Sequence, residues 1–423
     1  MSEWHVAPLR EIADIRVSNV DKKSTPGEAP VRLCNYMDVY ANDYIRADVP
    51  FMEATATAAE IQRFGVQQGD VMITKDSETP DDIGIPAVVM DQIAGLVCGY
   101  HLAQIRPNRA LVDPVYLAKQ LALPETAAYF AQRAAGSTRY GLSNRTIADV
   151  PIRLAPLGQQ LRIAEILARI DDAIERTEML IEKHQQIKAG LMHDLFTRGI
   201  STAGRTGPTD EDLPKGWRWA PLGDMAKVVS GVTLGGAGPA SGSVVPYLRV
   251  ANVQDGYLAL EEIKTIRVSR SVLQELRLLP GDVLMNEGGD FDKLGRGTVW
   301  SGEIDDCIHQ NHVFRVRTDR SVLNPEYLAL HSECHYGKRY FLISSKQSTN
   351  LASINATQLR RYPIALPPLD EQARIVARLS AAKAHLSGLE QSVAKLRAQK
   401  LGLMQDLLTG KVRVPLPQPE GTA

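Results

Sequence analysis

Apolar residues recur along two stretches of the chain at steps that alternate between four and three. In the second stretch they stand at Ile375, Leu379, Ala382, Leu386, Leu389, Val393, Leu396, Leu403 and Leu407. The first stretch has the same steps with polar interruptions, at Ile163, Leu167, Ile170, Ile174, Thr177, Ile181, His184, Lys188, Leu191 and Leu195. This heptad spacing predicts two long helices, each with one apolar seam. At roughly 35–40 residues each, the helices would be about 50–60 Å long.

Shorter patterns precede each long helix. Brief runs of β-branched residues, bounded by Gly, Asn and Asp, occur for example at 70–74 and 297–300, and such runs predict strands. Helical patterns lie near 114–135 and 325–341. A mixed globular part of roughly 150 residues is therefore expected before each long helix.

The chain consists of one unit repeated in tandem. The matching segments are 4–9 with 217–222, 32–38 with 249–255, 69–71 with 281–283, 101–106 with 312–317, 113–117 with 324–328, 136–138 with 347–349, 156–157 with 368–369 and 190–195 with 402–407. The offset between matching positions stays between 211 and 217 throughout. A period this long predicts two domains rather than a solenoid of short repeats.

The predicted fold class is α+β: two tandem mixed α/β domains, separated by two long antiparallel helices that form a coiled coil, with pseudo-two-fold symmetry. The predicted boundaries are 1–155 and 217–367 for the domains, 156–199 and 368–412 for the long helices, 200–216 for a linker and 413–423 for a flexible tail. Lys188 and Lys400 interrupt the seams at equivalent positions, and a polar residue there commonly fixes register. We favour a helix pair that sets the distance between the domains over a coiled coil that only dimerises the protein.

Composition and charge are those of an ordinary globular protein. Apolar residues make up 44% and charged residues 23%, and the net charge is −1, so any affinity for nucleic acid must come from local positive charge. Four cysteines without a CxxC pair do not predict a disulfide framework. The first residues lack the apolar run of a signal peptide, and no stretch approaches the ~20 apolar residues of a membrane span. We expect a soluble cytoplasmic protein with no membrane contact.

Positive charge does cluster locally. No Asp or Glu occurs at 126–148 or at 334–369, and both windows carry several basic residues. Each window also contains a Ser-Thr pair, which is followed by Arg139 or Asn350. Arginine can bind guanine and asparagine can bind adenine with two hydrogen bonds, and hydroxyl groups suit phosphates. A solvated loop is the alternative, but the recurrence of the pattern in both halves favours contact with DNA.

A second pair of loops follows the repeated Gly-Asp-Val strands, at 74–80 and 286–296. The sequences of the two halves diverge sharply in these loops, although the flanking segments match. Two domains that recognise different half-sites would require such divergence, and neutral drift of loops is the alternative. Together the loops supply these candidate DNA contacts: Lys75, Ser137, Thr138, Arg139, Tyr140, Asn144, Arg145, Asn286, Lys293, Arg296, Lys346, Ser348, Thr349, Asn350 and Asn355.

Patterns that resemble metal sites are incomplete. Cys307, His309 and His312 have a metal-like spacing, but zinc needs four ligands and no second cluster supplies them. Packed polar residues on a strand are the favoured interpretation. The acidic loops at 76–82 and 287–292 lack the flanking pattern of a nuclease, and their carboxylates would suit cytosine amino groups. We predict no metal site.

Patterns that resemble enzyme motifs are incomplete as well. Asn324-Pro-Glu-Tyr and Asp113-Pro-Val-Tyr lack the second proline of the amino-methyltransferase motif, and a helix start at proline is the better interpretation. No glycine-rich turn fits a cofactor-binding strand–turn–helix, and no P-loop is present. We therefore predict no catalytic residues.

Taken together, these features resemble the specificity (S) subunits of Type I restriction-modification systems, over nearly the whole chain. The resemblance rests on the tandem architecture, Pro-Leu-x-x-Gln-x-Arg-Ile at 156–163 and 368–375, the helix ends Gly-Leu-Met-x-Asp-Leu, the segment 286–297 and His-Gln-Asn-His at 309–312. It implies two target recognition domains and a bipartite double-stranded DNA target with an unspecified spacer. It also implies that the helices dock two methyltransferase (M) subunits and that two restriction (R) subunits join the full complex. S-adenosylmethionine, ATP and magnesium would then bind to the partners and not to this chain.

Two other classes of function stay open at this point. A stand-alone DNA methyltransferase or nuclease with fused recognition domains would need a cofactor-binding domain, and no part of the chain is left to form one. A coiled-coil scaffold without DNA affinity is the other alternative. A gel shift with random-sequence DNA would separate it from a DNA-binding subunit.

Overall fold

The computed structural model of the protein describes residues 4–200, 213–235, 241–289, 294–347 and 352–415. The chain folds into two compact units, Met1–Met179 with Gln391–Ala423 and Leu180–Glu390. Each unit holds one globular part and a portion of each long helix.

The first globular part is a mixture of short strands and short helices. Its strands are His5–Pro8 (β1), Ala13–Val17 (β2), Ala29–Cys34 (β3), Tyr44–Ile45 (β4), Met52–Ala56 (β5), Val71–Thr74 (β6), Asp76–Ser77 (β7), Pro86–Val89 (β8), Leu96–Cys98 (β9), Leu102–Pro107 (β10), Tyr140–Gly141 (β11) and Pro151–Leu154 (β12). Its helices are Tyr36–Tyr40 (α1), Ala58–Phe64 (α2), Pro114–Leu121 (α3), Pro124–Ala131 (α4) and Asn144–Ala148 (α5), and the first long helix is Leu157–Arg198 (α6).

The second globular part has a closely similar order of elements. Its strands are Arg218–Pro221 (β13), Ala226–Ser230 (β14), Ser243–Leu248 (β15), Val253–Gln254 (β16), Tyr257–Leu258 (β17), Lys264–Val268 (β18), Val283–Asn286 (β19), Gly288–Gly289 (β20), Gly297–Val299 (β21), Ile308–His309 (β22), Val313–Thr318 (β23), Lys346–Gln347 (β24), Ala352–Ser353 (β25) and Pro363–Leu366 (β26). Its helices are Arg270–Leu276 (α7), Pro325–Glu333 (α8), His335–Ser344 (α9) and Ala356–Arg360 (α10), and the second long helix is Leu369–Leu408 (α11).

The repeated Gly-Asp-Val motif starts a central strand in each globular part. The sheet order is β2-β10-β6-β8-β4 in the first and β14-β23-β19-β21 in the second. The motif glycines have φ angles of 87° and 91°, a left-handed conformation that glycine adopts without steric cost. Asp70 is 1% exposed and accepts two hydrogen bonds from Arg106, both at 2.8 Å. Arg317 binds the buried Asp282 in the same way at 2.6 and 2.7 Å, so the motif is a structural device of the sheet.

The glutamine of Pro-Leu-x-x-Gln fixes each long helix to the globular part before it. Gln160 accepts a hydrogen bond from the Asp113 amide at 2.9 Å and donates to two backbone carbonyls at 2.7 and 3.0 Å. Gln372 makes the same three bonds, to the Asn324 amide at 2.8 Å and to two carbonyls at 2.9 and 3.0 Å. Both amides are buried and use three polar interactions to hold a domain–helix junction.

Each of the shorter helical patterns forms two helices rather than one. The pattern at 114–135 is divided into α3 and α4 because Pro124 begins a new helix at its first turn, where proline is tolerated. In the second unit Cys334 has extended backbone angles, φ −71° and ψ 169°, between α8 and α9. The predicted helical positions are confirmed, and each pattern contains one interruption.

The interpretation of the two Asp/Asn-Pro sequences as helix starts is confirmed. The Asp113 carboxylate accepts a hydrogen bond from the Tyr116 amide at 2.9 Å, and the Asn324 side chain accepts from the Tyr327 amide at 3.2 Å. A proline occupies the first turn of both helices. These residues cap helices α3 and α8.

The long helices bury the outer parts of their apolar seams, whereas middle positions such as Ile174 and Leu386 are half-buried. In the first unit, Ile163 and Leu167 of α6 share a core with Leu407 of α11, and in the second unit Leu195 shares a core with Ile375. As residue numbers rise along α6, the paired numbers fall along α11: Asp171 pairs with Lys400, and Glu178 with Arg397. The two helices are therefore antiparallel in that unit. No helix in the described ranges combines the length and apolarity needed to cross a lipid bilayer.

The lysines that interrupt the seams bind carboxylates of the same unit. Lys188 Nζ lies 3.0 Å from Glu333 Oε1, at the end of α8. Lys400 Nζ lies 2.7 Å from Asp43 and 2.6 Å from Asp171. Lys188 thus connects α6 to the second globular part, and Lys400 connects α11 to the first.

Two histidines are buried in the second unit and are neutral. His309 Nδ1 donates to the Val313 carbonyl at 2.6 Å, and burial lowers the pKa of His309 to about 4. His331 accepts from the Ala365 amide at 3.1 Å, which makes its other nitrogen the donor to Tyr362 at 2.5 Å. Burial lowers the pKa of His331 to about 3.

These histidines should make the second unit sensitive to acid. Because their folded-state pKa values lie below the unfolded value of about 6.5, their contribution is fully present above pH 6.5 and is lost as pH falls toward 4. Each should reduce the free energy of unfolding by roughly 2 kcal/mol between pH 7 and pH 5. Urea unfolding of wild type and His309→Asn at both pH values checks this, since the variant should lose less stability. An equal loss in both proteins would refute it.

Candidate nucleic-acid interface

In the first domain, the structure joins the two loops that the sequence singled out. β7 comes from the loop after β6 and pairs with β11 from the acid-free window, with Ser77 opposite Tyr140 and Asp76 opposite Gly141. The Leu142 amide also donates to the Lys75 carbonyl at 2.9 Å. Segments far apart in sequence therefore form one surface.

The turn at 136–140 presents the predicted contacts to solvent. Ala135 and Gly141 exchange backbone hydrogen bonds at 3.0 and 2.9 Å, which close the turn. Gly136 has a φ of 150°, and a Cβ there would collide with the backbone of Arg139. The exposed side chains at the tip are Ser137, Thr138 and Arg139, and the half-buried Tyr140 follows them.

A cavity of about 460 Å³ lies beside this turn. Its polar lining includes Lys22, Tyr36, Tyr40, Asp76, Ser77, Glu78, Asp82, His101 and Arg139. The rings of Tyr36 and Tyr40 stack with centroids 5.4 Å apart. A hydrogen bond to Asp82 raises the pKa of Tyr40, and burial, followed by the Asp82 charge, raises the pKa of Tyr36. The cavity thus combines neutral phenols, carboxylates and cations, the donors and acceptors that base edges require.

The other predicted contacts of the first domain differ in availability. The Lys75 side chain is only 14% exposed and already has partners within the protein. Its Nζ lies 3.4 Å from the Asp76 carboxylate and 4.8 Å from the Tyr100 ring centre. Asn144 and Arg145 are exposed in the first turn of α5. Arg145 Nε lies 3.3 Å from an Asp149 oxygen, but 91% of its side chain remains exposed. Asn144 and Arg145 therefore stay accessible candidates, and Lys75 is a weaker one.

The second domain joins its two loops in the same way. β25 pairs with β20 and with β24, so that Ser353 lies opposite both Gly288 and Lys346. Lys346 is exposed. Asn355 is also exposed, and its side chain accepts from the Gln358 amide at 2.9 Å as the cap of α10. The same arrangement therefore recurs around loops whose sequences differ.

Two residues of the second loop pair are held within the protein. Asn286 is 1% exposed and donates to the Val253 carbonyl at 3.0 Å, so its prediction as a DNA contact is wrong: the residue ends a buried strand. Arg296 is 16% exposed and donates to Gln254 at 2.8 Å, with Asp255 3.5 Å away. The predicted contacts Lys293, Ser348, Thr349 and Asn350 lie outside the described residues.

Each domain holds a histidine–carboxylate pair that the sequence patterns did not predict. His101 Nδ1 lies 2.9 Å from Asp76 Oδ2, and His312 Nδ1 lies 2.5 Å from Glu287 Oε2. Both histidines stand at matching positions of the repeat, and that match was the available signal. By spacing, Cys307 and His309 are the metal-like neighbours of His312, whereas its carboxylate partner lies 25 residues away.

The described residues offer no arrangement for metal binding or thiol chemistry. Within those ranges, no three His, Cys, Asp or Glu side chains come together in a way that could hold a metal ion. The four cysteines are free and buried, and burial raises the pKa of each, to about 12 for Cys307 and Cys334. Thiols with so high a pKa are poor nucleophiles at neutral pH.

Known proteins resemble this chain over most of its length. The family model of the Type I restriction modification DNA specificity domain matches residues 1–185 and 214–395. A specificity subunit ascribed to the type I restriction enzyme MjaX of Methanocaldococcus jannaschii is 24% identical and covers 97% of this chain and 94% of its own. The StySPI specificity subunit of Salmonella potsdam is 22% identical over 81% of this chain and 74% of its own.

A solved structure shows the same fold. The S subunit of a Type I restriction-modification system from M. genitalium superposes with a TM-score of 0.56 at 12% identity, and covers 96% of both chains. The family model matches each half of the repeat separately. The chain therefore belongs to the family of the Type I restriction modification DNA specificity domain, and it carries that domain twice.

Proposed function

We propose that this chain is the DNA sequence-specificity subunit of a Type I restriction-modification complex, and that each domain recognises one half of a bipartite duplex target. The observation that carries the proposal is the pairing of two loops into one surface in both units. The loops differ between the halves while the strands that join them recur. Two similar scaffolds with different loops suit two different half-sites. Recognition would occur mainly in the major groove, where all four base pairs can be distinguished.

The long helices would set the spacer and dock the partner subunits. Helix α6 has 42 residues and α11 has 40, so each spans about 60 Å. Large apolar side chains stay exposed along them, with exposed fractions of 53% for Leu161, 56% for Met179 and 48% for Ile187. Such side chains on a helix face favour a protein partner. We assign this role to two methyltransferase subunits, with two restriction subunits in the full complex.

Catalysis would reside in those partners, which would bind S-adenosylmethionine, ATP and magnesium. Calorimetry with S-adenosylmethionine tests this division of roles. The isolated chain should show no binding, and the complex with its methyltransferase partner should bind the cofactor and shift duplex DNA in a gel. Cofactor binding by the chain alone would favour a fused enzyme, and a complex that binds no DNA would favour a scaffold.

Arg139→Ala and Lys346→Ala should each weaken DNA binding roughly fivefold on every sequence, and should reduce the salt slope of log K by about 1. The reason is that both side chains are exposed beside the joined loops. Titrations of the complex between 50 and 200 mM salt measure the slope. Arg378→Ala, which removes an exposed arginine of α11 outside both acid-free windows, is the control. Identical slopes for parent and variants would count against these contacts.

A further inference from the structure

The histidine–carboxylate pairs have the same geometry but use different carboxylates. The Lys75 amide donates to the His101 carbonyl at 3.0 Å, and the Glu287 amide donates to the His312 carbonyl at 3.0 Å. These bonds place Glu287 at the position of Lys75, whereas the partner of His101 is the next residue, Asp76. The carboxylate has moved by one position between the halves, and the histidine has kept both its place and its hydrogen bond to a carboxylate.

The pair persists where the surrounding sequence changes. After Asp76 the first domain continues Ser-Glu-Thr-Pro, and after Glu287 the second continues Gly-Gly-Asp-Phe. Side chains that read bases should differ between domains that recognise different half-sites. Side chains that contact the sugar–phosphate backbone carry no sequence information and can stay the same.

Each imidazole has one nitrogen available for a ligand. Nδ1 faces the carboxylate, and within the described part of the chain no hydrogen bond involves Nε2 of His101 or His312. The His101 side chain is 26% exposed and lines the cavity of the first domain together with the cations of Lys22 and Arg139 and the carboxylates of Asp76, Glu78 and Asp82. The His312 side chain is 55% exposed. Because Nδ1–H is donated to the carboxylate, Nε2 can donate only from the imidazolium form, which a phosphate oxygen placed beside it would favour.

We propose that His101 and His312 are a matched set of DNA-backbone contacts, one in each domain. Each ring donates Nε2–H to a phosphate, and its carboxylate partner fixes the orientation of the ring. The pairs would thereby fix the distance between each domain and the sugar–phosphate backbone, independently of the bases that the neighbouring loops recognise. This inference rests on the proposed function.

The test compares His101→Ala, His312→Ala and the double variant with wild type, each in complex with its methyltransferase partner. Each single variant should bind both the selected target and unrelated duplex DNA about fivefold to tenfold more weakly, and each should reduce the salt slope by about 0.9. In the double variant the losses of binding free energy should add, so that the two fold-changes in affinity multiply. His5→Ala, which removes an exposed histidine from β1 of the first domain, should leave affinity and slope unchanged.

Three outcomes would overturn the inference. Unchanged affinity would exclude a contact, and a changed base preference with unaltered binding to unrelated DNA would show base recognition instead. A loss of affinity that follows a lowered melting temperature, with the salt slope retained, would show a structural role. Selective binding by wild type is the separate readout for the proposed function, and if wild type binds no DNA, both proposals fall.

Discussion

Adding one heptad to each long helix should lengthen the DNA spacer of the target by about three base pairs. Seven residues extend a helix by about 10 Å, and base pairs of B-form DNA are spaced about 3.4 Å apart. The insertions belong after Met179 in α6 and after Glu390 in α11, where the two compact units divide. A copy of the preceding seven residues at each point preserves the heptad seam and leaves the ion pairs inside each unit unchanged.

Selection of bound sequences from random duplex DNA measures the spacer. The same seven residues inserted into the predicted linker at 200–216 serve as the control, because that change lengthens neither α6 nor α11. The control should keep the parental gap, whereas the helix variant should select a longer one. An unchanged gap in the helix variant would refute the role of the helices in setting the spacer.

Lys119→Met should lower the free energy of unfolding of the first unit by about 3 kcal/mol. Lys119 is 3% exposed, and its Nζ lies 2.9 Å from Asp43 and 2.7 Å from Asp171. Burial raises the pKa of Asp43, but Lys119 and Lys400 outweigh it and lower that pKa to about 2. Loss of Lys119 leaves the two carboxylates with Lys400 and with the Tyr44 hydroxyl, which donates to Asp171 at 2.7 Å. Removal of one partner from a buried ion pair costs about 3–5 kcal/mol. Because Asp43 is half-exposed, we expect the lower end of this range.

Urea unfolding measures the change in the free energy of unfolding, provided that m, the slope of that free energy against urea concentration, is the same for both proteins. Lys183→Met removes an exposed lysine from α6 and should change stability by less than about 0.5 kcal/mol. Adding Asp171→Leu to Lys119→Met should recover part of the loss, since replacing a whole buried pair by apolar residues is often nearly neutral. Equal effects of Lys119→Met and Lys183→Met would show that the cluster does not stabilise the unit.

The sequence predicted those parts of the fold that depend on periodicity. The alternating steps of four and three located both long helices, because seam positions such as Ile163 and Ile375 are buried. It could not show what the interrupting lysines bind. Lys400 has partners at Asp43 and Asp171, far away in sequence, and no local pattern encodes such contacts.

The candidate interface was predictable in its loops but less so in its individual side chains. Charge windows and divergence located the segments that β7 and β11 join, yet the pairing itself is a tertiary feature. Asn286 was misplaced because amino-acid type alone suggested base contact, whereas its position at the end of a buried strand decides its role. His101 was passed over because its carboxylate lies 25 residues away, so that only a fold can bring the two together.

If each of the two domains recognises its own stretch of duplex DNA, a map of the methylated bases in the genome of the source cell will show it. We predict methylation within a motif of two short defined blocks separated by a gap of constant length and variable sequence. A single continuous motif, or two blocks whose separation varies from site to site, would show that the two domains do not recognise two half-sites at a fixed distance.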